Sequence, residues 1–395
     1  MFDRRILLQR AGLFAPMWLV GPSVWLAGRS ACAAPESKPG MLVHTLVPHN
    51  AEPPLGALVQ SWITPNEHFY VRSHGPMPMI DVSTFRLSIE GLVEKPFKIS
   101  LEQLLRDFTK QTVLASMTCA GNRRIEHSLV KEVAGVQWQA GAIGNAKWGG
   151  TRLSDLLKKA GIKEGAKHVW FEGTDEIDHK GEVILFGASI PLEKAMSDTE
   201  TMPGTLVCHE MNGEPLSPDH GFPLRTVVPG YIGARSVKWL GKIIVSDRPS
   251  TNHYVAEAYK LVTEGTDAEL ASSPPIENFV INSVTCIPVA GSKVAAGKLE
   301  VSGYALATGV AGQTIAKVEL STDGGTSWIK ARFTTAAKPY CWRLWKADVD
   351  VHAQTAEIIV RAIDSTGNVQ PQTVAWNQKG YQFNAWHKTP VQVSP

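Results

Sequence analysis

Apolar and polar positions follow two different spacings along this chain, and the change falls near residue 270. Between about 40 and 265, helical and alternating patterns are interleaved. Leu101, Leu104 and Leu105 follow a helical repeat behind Ser100, a residue type that caps helix N-termini, and Leu153 to Ala160 repeats the pattern behind Thr151. Short apolar runs such as His168-Val169-Trp170-Phe171 and Val183-Ile184-Leu185-Phe186 read as strands. The mixture predicts an α+β region over 40–265. From about 275 the pattern becomes short alternating segments split by turn residues: Ile276 to Thr285, Leu299 to Ala305, Ile315 to Ser321, Trp328 to Phe333, Trp342 to Val349 and Ala356 to Ala362. Asp323-Gly324-Gly325 is a strong hairpin turn between two of them. Six or seven short strands in about 120 residues predict an all-β sandwich of immunoglobulin type over 275–395. Thr263 to Pro275, with Ser-Ser-Pro-Pro at its end, is the predicted linker.

The first 34 residues carry a third pattern. Arg4 and Arg5 precede an apolar run from Ile6 to Leu26, diluted by Gln9 and Arg10, which closes near the small-x-small triplet Ala31-Cys32-Ala33. This predicts a twin-arginine signal peptide over 1–34 and a periplasmic destination. An ordinary secretory signal or an uncleaved anchor fits the same residues. Asp3 and Ile6 stand where the twin-arginine pattern prefers Ser or Thr and Phe. Past residue 35 no run of about 20 apolar residues occurs, so no membrane span is expected in the mature chain.

Composition narrows the functions. With 44% hydrophobic and 19% charged residues and a formal net charge of +2, nothing calls for nucleic acid or an anionic membrane as partner. Any positive field must be local. Beyond the leader the cysteines are Cys119, Cys208, Cys286 and Cys341, without a CxxC pair, which argues against a zinc site or a redox dithiol. No CxxCH occurs, so no c-type haem is expected. Cys119 stands apart, because small residues and then Arg123 and Arg124 follow it. A positive, flexible setting favours the thiolate, the form that binds metals or attacks. The alternative is a buried cysteine acting as a small apolar residue. Cys208 beside His209 is a rival, but its apolar lead-in Thr205-Leu206-Val207 reads as a strand core, as do the settings of Cys286 and Cys341.

Cys119-Ala120-Gly121-Asn122-Arg123-Arg124 resembles the molybdenum-binding segment of the sulfite oxidase family, which includes the molybdenum domain of eukaryotic nitrate reductases. Six further segments resemble the family in order. Phe69-Tyr70-Val71-Arg72-Ser73-His74 is similar to the segment whose arginine faces substrate and whose histidine meets the pyranopterin, with Ser73 where the family usually has Asn. Pro218-Asp219-His220-Gly221-Phe222-Pro223-Leu224-Arg225 resembles the segment whose His and Arg bind the phosphate end of the cofactor, and Gly233-Ala234-Arg235-Ser236-Val237-Lys238-Trp239-Leu240 resembles the segment that follows it. Ala258-Tyr259-Lys260 falls where the family keeps an active-site tyrosine. Trp376-Asn377-Gln378-Lys379-Gly380 and Asn384-Ala385-Trp386-His387 resemble the close of the dimerisation domain, with Lys379 where many members have arginine.

The resemblance implies molybdenum held by one pyranopterin and by Cys119, with Tyr70, His74, Asp175, His220, Arg225, Ser236 and Lys238 as the remaining cofactor-binding candidates. It implies Arg72, Arg124, Trp138, Tyr259 and Lys379 as catalytic residues around sulfite, a small dianion suited to guanidinium donors. With no haem in this chain, electrons are expected to pass to an external c-type cytochrome, and the sandwich to form a homodimer. Two other readings fit the sequence: a related molybdenum enzyme with another substrate, such as sulfane sulfur or a sulfoxide, and a cofactor-free immunoglobulin-like binding module. Each arginine also has a plain alternative as a structural ion pair, and Tyr259, His74 and His220 as packing or loop-satisfying residues.

Overall fold

In the computed structural model, residues 40–199, 202–310 and 312–394 are described; the predicted signal peptide lies outside them. Helices are few and short, and strands are many, as the α+β reading expects. The helix Leu101–Asp107 begins where Ser100 predicts it. The Ser100 hydroxyl accepts the Gln103 N–H at 3.1 Å and the Gln103 carboxamide accepts the Ser100 N–H at 2.9 Å, so two otherwise orphaned donors are satisfied. Leu153–Ala160 is also helical and buries Leu153, Leu156, Leu157 and Ala160. Thr151 is not its cap, however. The strand Ile143–Arg152 runs on through Thr151, and Arg152 takes the N-cap place without a side-chain cap.

Among the described residues, three sheets make up the larger region. Leu42–Thr45, Asn50–Glu52 and Val71–Arg72 form a small antiparallel sheet. A second sheet runs Glu214–Pro215, Leu206–Met211, Ile143–Arg152, Gln111–Thr118, with Arg225–Val227 also paired to Leu206–Met211. The third runs Phe97–Ile99, Leu87–Gly91, Leu240–Ser246, His168–His179, Glu182–Pro191. Both apolar runs read as strands are longer here than predicted. His168–His179 alternates in burial, with Val169, Phe171 and Ile177 facing the core, as one covered sheet face requires.

The C-terminal region holds two sheets, one of four strands (Asn282–Ile287, Gly297–Leu306, Arg343–Val351, Arg332–Phe333) and one of five (Ser292–Ala295, His387–Ser394, Glu357–Asp364, Ile315–Ser321, Ile329–Lys330). Ile315–Ser321 matches its predicted range. The predicted Ile276 to Thr285 is a strand only from Asn282. Trp328 to Phe333 breaks at Ala331 into two pieces that join different sheets. In the Asp323 turn, Gly324 and Gly325 have φ of 73° and 93°, a region open to glycine. The Asp323 carboxylate accepts N–H donors from Thr326 and Ser327. The predicted linker is not wholly irregular, since Thr266 caps a helix over Asp267–Ser272.

One hydrophobic cluster joins the two regions: Val284, Tyr304, Trp342 and Tyr381 pack in the same core as Leu87, Phe171 and Leu240. A second cluster around Val301, Val318, Trp345 and Val360 lies within the C-terminal strands. Arg123 ties the regions with polar contacts. It is fully buried, forms an ion pair with Glu126 at 2.6 Å, and donates to Asn282 Oδ1 and to the Ala385 carbonyl, each at 2.8 Å. Among the described residues no helix is long and apolar enough to cross a membrane.

Arg123→Met is expected to destabilise the fold by roughly 3 kcal/mol, because it strands buried partners on both regions. Ser100→Ala is expected to cost about 1 kcal/mol, the usual worth of a cap. Urea unfolding midpoints of the two variants check the difference.

Candidate active site

Cys119 emerges at the end of the strand Gln111–Thr118. Its N–H donates to the Ala142 carbonyl at 2.9 Å, and its Sγ accepts the Gly121 N–H at 3.4 Å. The thiol borders a cleft of about 660 Å³, part of it open to solvent. Lining the same cleft are Tyr70, Arg72, His74, Asp175, His220, Arg225, Ser236, Lys238 and Tyr259. Ten of the thirteen candidates named from the sequence are thereby brought together, from strands and loops spread over nearly 190 residues of chain.

A directed chain of hydrogen bonds crosses one wall. Asn50, on the strand Asn50–Glu52, accepts Arg72 Nη1 at 3.1 Å and the Ser73 N–H at 3.1 Å. Arg72 Nη2 lies 3.1 Å from His74 Nδ1, and His74 Nε2 lies 2.8 Å from the Tyr259 hydroxyl oxygen. A guanidinium has only donors, so His74 Nδ1 accepts and its proton sits on Nε2. Burial, reinforced by the charges of Arg72, Lys238 and Arg124, holds His74 well below the usual histidine range. The neutral ring therefore donates to Tyr259. Burial also raises the Tyr259 phenol far above its ordinary range, so it keeps its own proton and directs it elsewhere.

The opposite end is basic. Arg225 donates to the carbonyls of His220 at 3.0 Å and Ser236 at 3.2 Å, and lies over the Trp148 ring at 5.1 Å. Lys238 Nζ donates to Ser73 Oγ at 2.7 Å and to the Asp219 carbonyl at 2.9 Å. Ser73 thus has a defined task in place of asparagine: it accepts from Lys238. Burial brings the Lys238 ammonium down to about 7, opposed by the Asp219 and Asp175 carboxylates. Burial likewise pushes Asp175 up to about 6, against the pull of Lys238. Asp175 Oδ1 is buried with no hydrogen-bond partner among the described residues. The Ser236 hydroxyl is engaged by the Val228 N–H at 3.0 Å, so its carbonyl and position, more than its hydroxyl, face this end.

These features fit a phosphate-tipped pyranopterin that carries a metal. A thiol stands at one wall, cations at the other end, and an unmatched carboxylate oxygen is ready for a ring N–H. Gly233 keeps the wall thin: a Cβ there would lie 2.7 Å from the Tyr70 hydroxyl. No group of three or more His, Cys, Asp or Glu side chains able to hold a metal ion occurs among the described residues, so Cys119 would share the metal with ligands from the cofactor. Cys208, the rival, is fully buried in the strand Leu206–Met211, and burial pushes its thiol up, away from thiolate formation. Cys286 and Cys341 are also buried and free.

Three candidates do not line the cleft. Arg124 opens the helix Arg124–Ser128 and is only 6% exposed. It donates to the Val136 carbonyl at 3.0 Å, while its Nε has no partner and no carboxylate pairs with it among the described residues. Trp138 is fully buried, its indole N–H is also unmatched, and its ring meets Tyr70 edge-on at 6.4 Å. Lys379 is half-buried, and its charge reaches His253, which helps hold that imidazole below its usual range after the larger effects of burial and His179. Asn50, Tyr254 and Tyr381 were not signalled by the sequence. Tyr254 lies 4.4 Å from the His74 ring, and Tyr381 stacks on Tyr259 with centroids 5.2 Å apart. Asn50 is uncharged and lies outside the resembling segments, and the tyrosines carry no spacing that marks them.

The pattern of the Oxidoreductase molybdopterin binding domain matches residues 74–254, and that of the Mo-co oxidoreductase dimerisation domain matches residues 273–394. The chain is 41% identical to "Sulfite oxidase, mitochondrial" of Macaca fascicularis over 375 residues, covering 91% of this chain and 67% of that protein. It is 38% identical to "Sulfite oxidase" of Arabidopsis thaliana, covering 90% and 94%. Among solved structures, the sulfane dehydrogenase SoxCD from Paracoccus pantotrophus superposes with a TM-score of 0.74 at 29% identity, over 89% of each chain. With the cleft, its thiol and its basic end already in place, these matches establish that the chain belongs to the sulfite oxidase family of molybdopterin-binding oxidoreductases.

Proposed function

We propose that this protein oxidises sulfite to sulfate at a molybdenum–pyranopterin centre held by Cys119 and passes the electrons singly to an external c-type cytochrome. The observation that carries the reading is Arg124, a guanidinium 6% exposed with a free Nε and no carboxylate partner among the described residues. A buried cation without a counter-charge is costly, and an anionic substrate offsets that cost. Arg72, half-buried at the cleft, is the second cation for the same anion. The sulfite oxidases of Macaca fascicularis and Arabidopsis thaliana support sulfite as the substrate.

When bound, the metal centre supplies the two-electron redox change. The residues of this chain bind, orient and handle protons. Arg225, Lys238 and His220 would hold the phosphate end, and Asp175 would accept from the pterin ring. His74 donates to Tyr259, which leaves the Tyr259 hydroxyl proton directed at the reacting group. Lys379 adds charge near His253 without bidentate geometry. Trp138 stiffens the wall through Tyr70. We further propose that 40–265 is the catalytic domain and 275–395 an immunoglobulin-like domain that makes a homodimer, a reading supported by its two sheets of four and five strands. Arg4 and Arg5 support export by the twin-arginine route to the periplasm, after the cofactor has been inserted. The likeness to SoxCD makes sulfane sulfur the competing substrate class; a turnover panel of sulfite against thiosulfate separates the two.

Cys119→Ser is expected to abolish sulfite-dependent cytochrome c reduction and to lower molybdenum content, read by metal analysis of the same preparation. Activity that survives the change would overturn the assignment. Arg72→Gln and Arg124→Gln are each expected to raise the KM for sulfite by about tenfold to a hundredfold, the worth of one charge-assisted contact, with less effect on kcat; steady-state kinetics check this.

In cofactor-free protein, the Asp175 carboxyl holds a proton up to about pH 6, while the unfolded chain releases it near 3.8. The native state therefore binds more protons between those values, and this part of stability is present at low pH and lost as pH rises through about 6. Asp175→Asn is expected to flatten that slope in urea midpoints measured from pH 4 to pH 6.5.

A further inference from the structure

We propose that Tyr381, carried on the C-terminal segment 377–383, is the positioning residue that fixes Arg124 and Tyr259 with respect to each other. The same ring meets both. It stacks on Tyr259 at 5.2 Å with 20° between the planes, and the Arg124 guanidinium lies over it at 5.1 Å.

Arg124 needs such a support. A hydrogen bond from Nη1 to the Val136 carbonyl does not by itself orient a planar fork, and the Tyr381 hydroxyl adds a side-chain hydrogen bond with Arg124. Packing does the rest. Gly121, Gly135 and Gly380 surround the side chain so closely that a Cβ on any of them would lie 2.7–2.9 Å from an Arg124 atom. These glycines leave a slot the width of the side chain, and the Tyr381 ring gives the guanidinium a face to rest on. Gly380 immediately precedes Tyr381, so a single piece of chain supplies both slot and face.

Tyr259 is held in a complementary way. His74 fixes its hydroxyl end at 2.8 Å, and the Tyr381 ring fixes its plane.

Tyr381 itself has little freedom. The Asn377 side chain bridges it on both sides, accepting its N–H at 2.9 Å and donating to its carbonyl at 2.9 Å. The next residue, Gln382, donates its N–H to the Ala120 carbonyl at 2.7 Å, one residue from Cys119. Gln382 Nε2 also donates to the Asn278 carbonyl at 2.7 Å. The thiol loop, the anion-binding arginine and the proton-directing tyrosine are thus all referenced to two adjacent residues, Tyr381 and Gln382, near the far end of the chain. Burial pushes the Tyr381 phenol up, while Arg124 and Arg72 pull the other way, so the ring stays neutral and its electron-rich face remains available to the cation.

The inference rests on the sulfite reading only for its kinetic arm. The test uses full-length, molybdenum-loaded protein with Tyr381→Phe, which keeps the ring, and Tyr381→Leu, which removes it. Two quantities are measured: the dissociation constant for sulfate, and kcat and KM for sulfite. The leucine variant is expected to bind sulfate about tenfold more weakly, to raise KM by a similar factor and to lower kcat severalfold, at unchanged molybdenum content. The phenylalanine variant, which keeps the ring face and loses the hydroxyl's hydrogen bond with Arg124, is expected to show clearly smaller changes than the leucine variant in all of these. Should the leucine variant fail to fold, Tyr381→Met fills the volume without a ring and carries the same expectation. A leucine or methionine variant that loses thermal stability yet keeps sulfate affinity and kinetics would show a merely structural role and overturn the inference. So would a phenylalanine variant as impaired as the leucine one, since the hydroxyl would then be the acting group. If the parent protein does not turn over sulfite but its sulfate affinity depends on the ring as described, the proposed substrate falls and the role of Tyr381 stands.

Discussion

Positive charge held out of water is the constraint around which this molecule is arranged. Arg72, Arg225 and Lys238 line one cleft with the Cys119 thiol, Arg124 is buried outside that lining with its guanidinium over Tyr381, and burial costs each cation part of its hydration. The protein answers in two ways. At the basic end the backbone takes over: the carbonyls of His220, Ser236 and Asp219 accept from Arg225 and Lys238, and aromatic faces cover them. At the Arg124 end the debt is left open, with one carbonyl, an unpartnered Nε and a tyrosine face. The first arrangement suits a permanent guest that adds its phosphate to a finished nest. The second suits a ligand that comes and goes, because donors that the protein does not satisfy are strongest toward an arriving anion.

The C-terminal region takes part in this site as well as in the fold. Its residues share a hydrophobic cluster with the larger region, and the fully buried Arg123 joins the two by hydrogen bonds to Asn282 and Ala385. The segment 377–383 reaches back to the Ala120 carbonyl. Movement of the C-terminal strands relative to Cys119 would disturb buried polar contacts and apolar packing together, which couples the precision of the site to the integrity of both regions.

What the sequence reveals follows the range of the interactions involved. The helix after Ser100 is legible because a capping box is written within four residues. Thr151 misleads for the opposite reason: its strand is held by partners at Gln111–Thr118 and Leu206–Met211, and distant pairing outweighs a local capping preference. The strand His387–Ser394 escapes notice because Pro390 interrupts the expected pattern, yet it pairs with Glu357–Asp364 on one side and Ser292–Ala295 on the other. Trp328 to Phe333 reads as one strand, but its two halves pair with Glu319–Leu320 and with Lys346–Trp345 in separate sheets. At the site, ten of the thirteen candidates named from the sequence share the cleft. Asn50 and Tyr381 are not among those candidates, since their work depends on which distant residue they meet.

Arg123 has a φ of 66°, in the left-handed region that residues with a Cβ seldom enter. That single twist sends two successive guanidinium groups in different directions: Arg123 to Glu126, Asn282 and Ala385, Arg124 to its glycine slot. Chemically identical neighbours are thereby divided into a rivet and a receptor. Damage to the rivet should be felt as loss of protein, and damage to the receptor as loss of affinity in a protein that still accumulates.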